Sequence, residues 1–529
     1  MKVALRTDAS SRIGTGHLMR CLTLADALRG AGARTRFVCR ALPSGLREAV
    51  TARGHELAEL PSAPETAAGD GDVRVAPDAP VASFAPEHEE LAHAAWLGAT
   101  QQEDAAATQA ALGDGVVWDW LVVDHYAIDA RWETRLRAAA RRILAIDDLA
   151  DRRHDCDALL DQNFHDGLHA RYDGLVPDAC VRLLGPRHAL LRPEFAAARA
   201  SLRARGDAVR RVLVFFGGID ERNLTAAALD ALDSLGTATS GGRGLAVDVV
   251  IGAAHPQRDA IVERCNARPG TRCHVQVANM AELIASADLG VGAAGVATWE
   301  RCALGLPALA VAVAANQQAL LRDAAREGLV LGPDIDGADA AGIALHLRAL
   351  IANPALRAHT AARGLAAVDA LGTGRVVRSM STAEVAMRLA TGADARDLFA
   401  WRNATEVRRF SRSDAPIDRE EHRRWLAAAL ADPACVLLVG SVAESPVGVV
   451  RFDLAGDSAE ISIFLAPGQA GRGTGSALLA AAERWLADKR PTIRFVLAEV
   501  LAGNAASHRL FTGNGFEAVS SRYRKRIAS

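Results

Sequence analysis

The feature that most constrains this chain is a recurring unit. A short apolar run ends on a polar residue and passes through a turn into a stretch with helical periodicity. Met1 to Arg20 reads MKVALRTDASSRIGTGHLMR. Val3, Ala4 and Leu5 make the apolar run, and Gly14-Thr15-Gly16-His17 opens an apolar-periodic stretch from Leu18 to Leu28. This predicts a strand, a glycine-bearing turn and the first turn of a helix. Trp120–Asp124 (WLVVD) and Arg142–Asp147 (RILAID) repeat the unit, with a helix predicted from Asp129 between them. Such runs suit parallel strands covered on both faces, and open sheets of that kind place ligands at the strands' C-terminal ends.

A second block of the same plan begins at Arg211. Val212–Phe216 reads as a strand, Gly217-Gly218-Ile219-Asp220 as a turn and Asn223–Leu232 as a helix. Val247–Ile251, His274–Val277, Leu289–Gly292 and Ala308–Val313 read as further strands, with helices over Met280–Ser286 and Gly295–Leu304. Between the first units, about residues 61–115, the text is rich in Ala, Glu, Asp and Pro with weak periodicity. Much of it reads as a loosely ordered insertion with some helix, with return of a part of it to the fold left open. Around Ser381 the pattern changes. Val385–Thr391 reads as a strand and Asp394–Arg402 begins a helix. Residues 436–440, 447–453 and 458–466 follow as antiparallel strands. Gly471-Arg472-Gly473-Thr474-Gly475 then leads into a helix over Ser476–Lys489, a strand over Phe495–Val500 and a helix from Asn504. The expected division is 1–200, 201–380 and 383–529, an α/β pair of doubly wound domains followed by an α+β domain.

At 529 residues the chain is too long for one core. The net charge of −2 gives no electrostatic case for nucleic acid or a membrane surface. With no uninterrupted apolar run of about 18 residues and no signal-peptide pattern, the expected location is cytoplasmic. The eight cysteines form no C-x-x-C pair and read as buried thiols. Asp147, Asp148 and Asp161 suit strand ends and caps better than a metal pair, so no metal is expected. The sequence leaves the oligomeric state open.

The turns carry the chemistry. Glycines admit close backbone approach, free N–H groups at a helix start face an anion, and a histidine there can exchange a proton near neutral pH. A Gly-x-Gly turn also serves for packing alone, and glycine is missing where a dinucleotide fingerprint would need it, at Met19. Arg6, Asp8, Ser10 and Arg12, crowded before the turn, favour a ligand site. Taken with VVDHYAIDARWE, IDDLADRRHDCDALLDQN, LGPRHALLRPEF, FFGGIDERNLT and AAGVATWERCALGLPALAVAVAANQ, the first twenty residues resemble the UDP-2,4-diacetamido-2,4,6-trideoxy-β-L-altropyranose hydrolases of pseudaminic acid biosynthesis. The resemblance covers about residues 1–380 apart from the insertion. It implies a GT-B fold, two doubly wound domains facing one cleft, and release of UDP from a nucleotide sugar by water. It also implies that His17 is the base, that Tyr126 lies near the sugar, and that Glu300 and Asn316 hold the nucleotide. Asp8, Arg12, Gly14, Thr15, Gly16, Gly217, Gly218, Asn223, Gly295, Thr298 and Gln317 complete the expected substrate site. Without the resemblance, Glu300 reads as a solvated helix residue and Tyr126 as a strand-end aromatic. His188 stands where relatives carry tyrosine.

The last block, with its glycine turn, Asn504 and Gly515-Phe516, resembles the GNAT N-acetyltransferases over about residues 383–529. That implies acetyl-CoA as co-substrate, its pyrophosphate held by backbone N–H groups of the turn. The implied contacts are Leu465, Gly471, Arg472, Gly473, Thr474, Gly475, Ser476 and Asn504. Ala470 replaces the usual Gln/Arg of that turn, and Phe511 replaces a frequent tyrosine acid. Glu499 is the candidate base for the attacking amine, against the reading of an ordinary strand residue. Trp401-Arg402-Asn403 and His422-x-x-Trp425 resemble the acceptor side of the sugar-nucleotide acetyltransferase of the same pathway, or pack as an amphipathic helix. The fusion points to a bifunctional enzyme that acetylates a 4-amino UDP-sugar and then removes its UDP. The alternatives are a GT-B UDP-sugar glycosyltransferase with an accessory acetyltransferase, and an active first part beside a degenerate acetyl-CoA-binding module.

Overall fold

The computed structural model describes residues 1–10, 13–61, 91–113, 115–235, 244–314, 317–332, 338–381, 385–410, 415–442, 445–470, 474–501, 503–517 and 519. The chain divides into two compact units, Met1–Val377 and Arg378–Ser529.

The first unit holds two all-parallel sheets. One comprises β1 (Lys2–Thr7), β2 (Arg34–Cys39), β3 (Glu56–Glu59), β4 (Trp120–Asp124), β5 (Ile143–Ile146), β6 (Ala158–Asp161) and β7 (Val181–Leu184), in the spatial order β3-β2-β1-β4-β5-β6-β7. The other comprises β8 (Arg211–Phe215), β9 (Ala246–Ile251), β10 (Thr271–Val275), β11 (Leu289–Ala293) and β12 (Ala308–Val311), in the order β10-β9-β8-β11-β12. Both orders reverse direction beside the first strand. The crevice of a doubly wound sheet opens at that reversal, at the strands' C-terminal ends. The strands are apolar because helices cover both faces: every residue of β4, β5, β6 and β11 is buried. The second sheet accordingly has a separate apolar cluster on each side, one around Val212, Val214, Leu229 and Leu347, the other around Leu213, Trp299, Leu304 and Leu320.

Part of the expected insertion returns to the fold as a helix. After residues 62–90, which lie outside the described residues, the chain returns through the 3-10 turn Ala94–Trp96 and the helix Gln101–Leu112. Thr100 and Glu103 close a capping box at the start of that helix. Asp104, one residue on, is fully buried and accepts from Arg6 (2.7 and 3.0 Å), Arg40 (2.9 Å) and Trp132 Nε1 (3.0 Å). The helix is therefore part of the first core, with Leu97, Ala105 and Leu112 packed among Leu121, Trp132 and Ile143.

Two arginines hold the helices of the second sheet by their C-terminal carbonyls. Arg205 donates to Ile284 O, Ala287 O, Leu304 O and Gly305 O at 2.7–3.0 Å, and Arg199 to Ala303 O, Leu365 O and Val368 O at 2.6–2.9 Å. This fastens the ends of Met280–Ser286 and Ala297–Ala303, the helices that bring Glu300 to the crevice. The helix Gly372–Ser381 returns to the loop after β7, where Thr373 donates to Leu191 O at 2.8 Å.

The second unit has one mixed sheet in the order β13 (Ala386–Leu389), β14 (Cys435–Val442), β15 (Ser445–Ala455), β16 (Ser458–Leu465) and β17 (Phe495–Ala498). Its pairs are antiparallel except β16 with β17, which is parallel. The helix Thr474–Lys489 packs Leu478, Leu479, Ala482 and Leu486 against it. All eight cysteines are free thiols. Cys273 and Cys435 are half-buried and the other six are buried.

Candidate functional site

Because β1 and β4 are neighbours, the turn after β1 sets the start of the helix Gly16–Gly30 over the end of β4. His17 and Arg20, one turn apart on that helix, both reach the carboxylate of Asp124, the last residue of β4. His17 Nδ1 lies 2.6 Å from Asp124 Oδ1, and Arg20 donates to both oxygens at 2.7 Å. Burial alone would raise the Asp124 carboxyl, but the adjacent Arg20 and His17 hold it well below the usual carboxylate range. An ionised carboxylate only accepts, so His17 Nδ1 carries a proton towards Asp124. In the neutral ring held this way Nε2 is the nitrogen that can accept a proton.

The network continues outward. Arg20 Nη1 donates to Asp148 at 3.1 Å, Tyr126 OH to the same carboxylate at 2.5 Å, and Asn163 Nδ2 at 3.2 Å. Asn163 Oδ1 in turn accepts from Trp299 Nε1 at 2.9 Å, and Trp299 is the fully buried neighbour of Glu300. Nearby, Asp161 is pushed up to about 7 by its burial and the charge of Asp148. Tyr126 also meets rings: His17 edge-on at 4.6 Å between centroids, His93 at 5.4 Å and Trp96 at 5.8 Å.

The glycine turns of the two halves face each other. A Cβ on Gly218 would lie 3.6 Å from Thr15 Oγ1, and Gly14 and Gly217 take φ of 77° and 106°, which only glycine adopts readily. Thr15 makes no side-chain cap at the start of Gly16–Gly30, so its hydroxyl does not satisfy the first N–H groups of that helix. On the far side, Gly295 adjoins Gln317, whose Oε1 accepts from Val313 N. Glu300 is mostly buried, which raises its carboxyl, with Arg192 3.6 Å away. Beside it a small apolar pocket is lined by Leu213, Phe215, Met280, Ile284, Val291 and Ala297.

Several expected contacts move to framework roles. Asp8 is buried, paired with Arg6 at 2.9 Å and bonded by Arg40 N and Ala41 N, so it ties β1 to the loop after β2. Thr298 is buried too, its hydroxyl accepting from Arg301. Asn223 sits in left-handed backbone with its amide on Gln257, and Asp220 caps the helix Leu224–Ser234 in its place. Arg12 and Asn316 lie outside the described residues. His93, which carries no motif in the sequence, stands beside Tyr126 and so in the site. Among the described residues no group of three or more His, Cys, Asp or Glu is placed to hold a metal ion, and no helix is long and apolar enough to cross a membrane.

In the second unit, β16 and β17 pair only from Ser458↔Phe495 to Ile461↔Ala498, while β16 runs on to Leu465. The two strands part there, and the helix Thr474–Lys489 starts beside the gap, with Gly475 against Leu465. Residues 384–517 match the family model described as Acetyltransferase (GNAT) domain. The second unit carries a GNAT domain. A curated relative of the chain is the spore coat polysaccharide biosynthesis protein SpsG of Bacillus subtilis (strain 168), 29% identical over 147 residues, 28% of this chain and 42% of that protein. The chain spans less than half the length of the curated relatives it matches. Similar solved structures include Acinetobacter baumannii MurG, 14% identical over 72% of this chain and 99% of that one, with a TM-score of 0.46. Another is the aminoglycoside acetyltransferase AAC(6')-Ib in complex with coenzyme A, 21% identical over 25% of this chain and 84% of that one, with a TM-score of 0.23.

Within the GNAT domain, Gly471, Arg472 and Gly473 lie outside the described residues, while Thr474, Gly475 and Ser476 form the first turn of the helix. Ser476 Oγ accepts from Asn514 at 3.2 Å. Asn504 caps the last helix, Ala505–Gly513, through Ser507 N at 3.0 Å, so its carbonyl oxygen is committed to the fold. Glu499 is exposed and stands one residue past the end of β17, at the parting of the strands. Phe511 is buried and edge-on to Phe516 at 4.9 Å. His422 is buried between Phe399 and Trp425.

Proposed function

We propose that this chain is a bifunctional nucleotide-sugar enzyme. In this reading the first unit hydrolyses UDP-2,4-diacetamido-2,4,6-trideoxy-β-L-altropyranose to UDP and free sugar, and the GNAT domain acetylates the 4-amino group of the precursor with acetyl-CoA. The observation that carries it is the His17–Asp124 pair at the mouth of the doubly wound sheet. His17 Nε2 takes a proton from water as the oxygen attacks the anomeric carbon; the bond from that carbon to the phosphate oxygen breaks, and UDP leaves with the electron pair. Asp124 stabilises the imidazolium that forms. Thr15 and the open N–H groups of the first helix turn face the departing phosphates, Glu300 and Gln317 take the ribose side, and Tyr126 lies along the sugar. In the GNAT domain the parted strands admit the acyl chain, backbone N–H groups at the helix start meet the coenzyme A pyrophosphate, and Glu499 accepts the proton of the attacking amine.

The test is release of UDP from that sugar nucleotide with no acceptor present. We expect release by the wild-type chain, reduced by about 10²- to 10⁴-fold in His17→Ala, the usual worth of a positioned base. Acetylation of the 4-amino precursor should persist in the same variant. Release only when a sugar acceptor is added would replace water by that acceptor and make the first unit a glycosyltransferase.

A further inference from the structure

His93 and Trp96 come from a stretch with little sequence signal, yet the fold sets them against Tyr126, beside His17. Their rings lie 4.3 Å apart between centroids, tilted 46°, and each tilts by 33–41° to Tyr126. Tyr126 itself is fixed. Its hydroxyl is committed to Asp148, His17 stands edge-on to it, and the Arg152 guanidinium lies 5.9 Å from its centroid. What Tyr126 offers is therefore a ring held in place. His93 and Trp96 remain half-buried, so part of each still faces out next to the base. The groups assigned to the nucleotide, Glu300 and Gln317, belong to the other half of the unit.

We propose that Trp96 and His93, seated on the buried ring of Tyr126, form a sugar-selecting wall, against which the C–H face of the pyranose and its apolar substituents pack during the reaction. Rigid aromatic surfaces provide large contact area with few rotatable bonds to freeze, and the C–H face of a pyranose is its apolar side. A sugar seated there is presented to His17 with its anomeric carbon toward the nucleotide half. The inference rests on the reading of His17 as the base of a UDP-sugar enzyme. It adds that the sugar is chosen by a segment outside the βα units.

The experiment compares two ligands on one protein. In a His17→Gln background, which halts turnover and keeps bulk beside Tyr126, UDP and UDP-2,4-diacetamido-2,4,6-trideoxy-β-L-altropyranose are titrated by calorimetry. Trp96 is intact, or replaced as Trp96→Ala, Trp96→Phe or with His93→Ala. The expected result is tighter binding of the sugar nucleotide than of UDP. Trp96→Ala should weaken the sugar nucleotide by about tenfold, the scale of one aromatic contact, with UDP unchanged and Trp96→Phe intermediate. Equal weakening of both ligands would mean that the cluster only docks its segment, and would overturn the proposal. So would no change in either, or no preference for the sugar nucleotide in the parent. Failure of the hydrolase reading shows separately, as absence of UDP release from the wild-type chain.

Discussion

Asp124 serves a histidine and an arginine with one carboxylate, and the choice between carboxylate and amide there decides which nitrogen of His17 is bare. In Asp124→Asn the amide can turn its N–H to Nδ1, which moves the imidazole proton to Nε2 and removes the base. UDP release should fall by roughly 10³-fold or more with far-ultraviolet circular dichroism unchanged; activity within threefold of wild type would remove Asp124 from the mechanism. A second buried histidine makes a prediction about stability. His154 lies 2.8 Å from Glu133 and 3.8 Å from Asp147. Burial alone would lower its imidazole, but the charge of Glu133, the bond to it and the nearby Asp147 carboxylate push it up to about 9. An unfolded histidine titrates near 6.5. A group raised on folding stabilises fully below its unfolded value and loses that contribution as pH rises through the folded one. The first unit should therefore lose about 3 kcal/mol between roughly pH 6.5 and 9. Urea midpoints across that range should fall in the wild type and stay flatter in His154→Gln.

At the scale of elements, the helix Gln101–Leu112 shows both what patterning can tell and where it stops. The apolar runs of β1, β4, β8 and β11, five or six residues each, announce themselves, because a strand covered on both faces has to be largely apolar. The helix Gln101–Leu112 is mostly Ala, Gln, Glu and Asp, and its hold on the core comes from Asp104, whose partners Arg6, Arg40 and Trp132 are distant in sequence. β6 and β7 have only four residues each, too few for a period to emerge. Within the site, the glycine turns, His17, Tyr126 and Glu300 were legible from turn chemistry and resemblance. The bond between Asn163 and Trp299 was not, since 136 residues separate its ends and neither has a local signature. Asp104→Ala would leave the fully buried Arg6 with Asp8 alone and strip Arg40 and Trp132 of their acceptor, and should cost about 3–5 kcal/mol. Thermal melting checks this; a loss below about 1 kcal/mol would show that the helix is an appendage.

For the whole molecule, two separate cores on one chain mean that each unit can fail alone. Residues 1–381 expressed by themselves should keep UDP release within about twofold of the full chain, and residues 384–529 should keep acetyl-CoA binding. Loss of either on separation would mean that the units depend on each other for folding. The cysteines bear on the same question. Six thiols are sealed in, Cys21 donates to Asp124 at the floor of the site, and the half-buried Cys273 and Cys435 fall one in each unit. A sealed thiol reacts with an alkylating agent only when its surroundings part, so the chain carries a native gauge of its own breathing. Brief labelling followed by peptide mapping would time the opening of the floor of the candidate site at Cys21, with the half-buried Cys273 and Cys435 as references that label without it, in one sample and without an added probe.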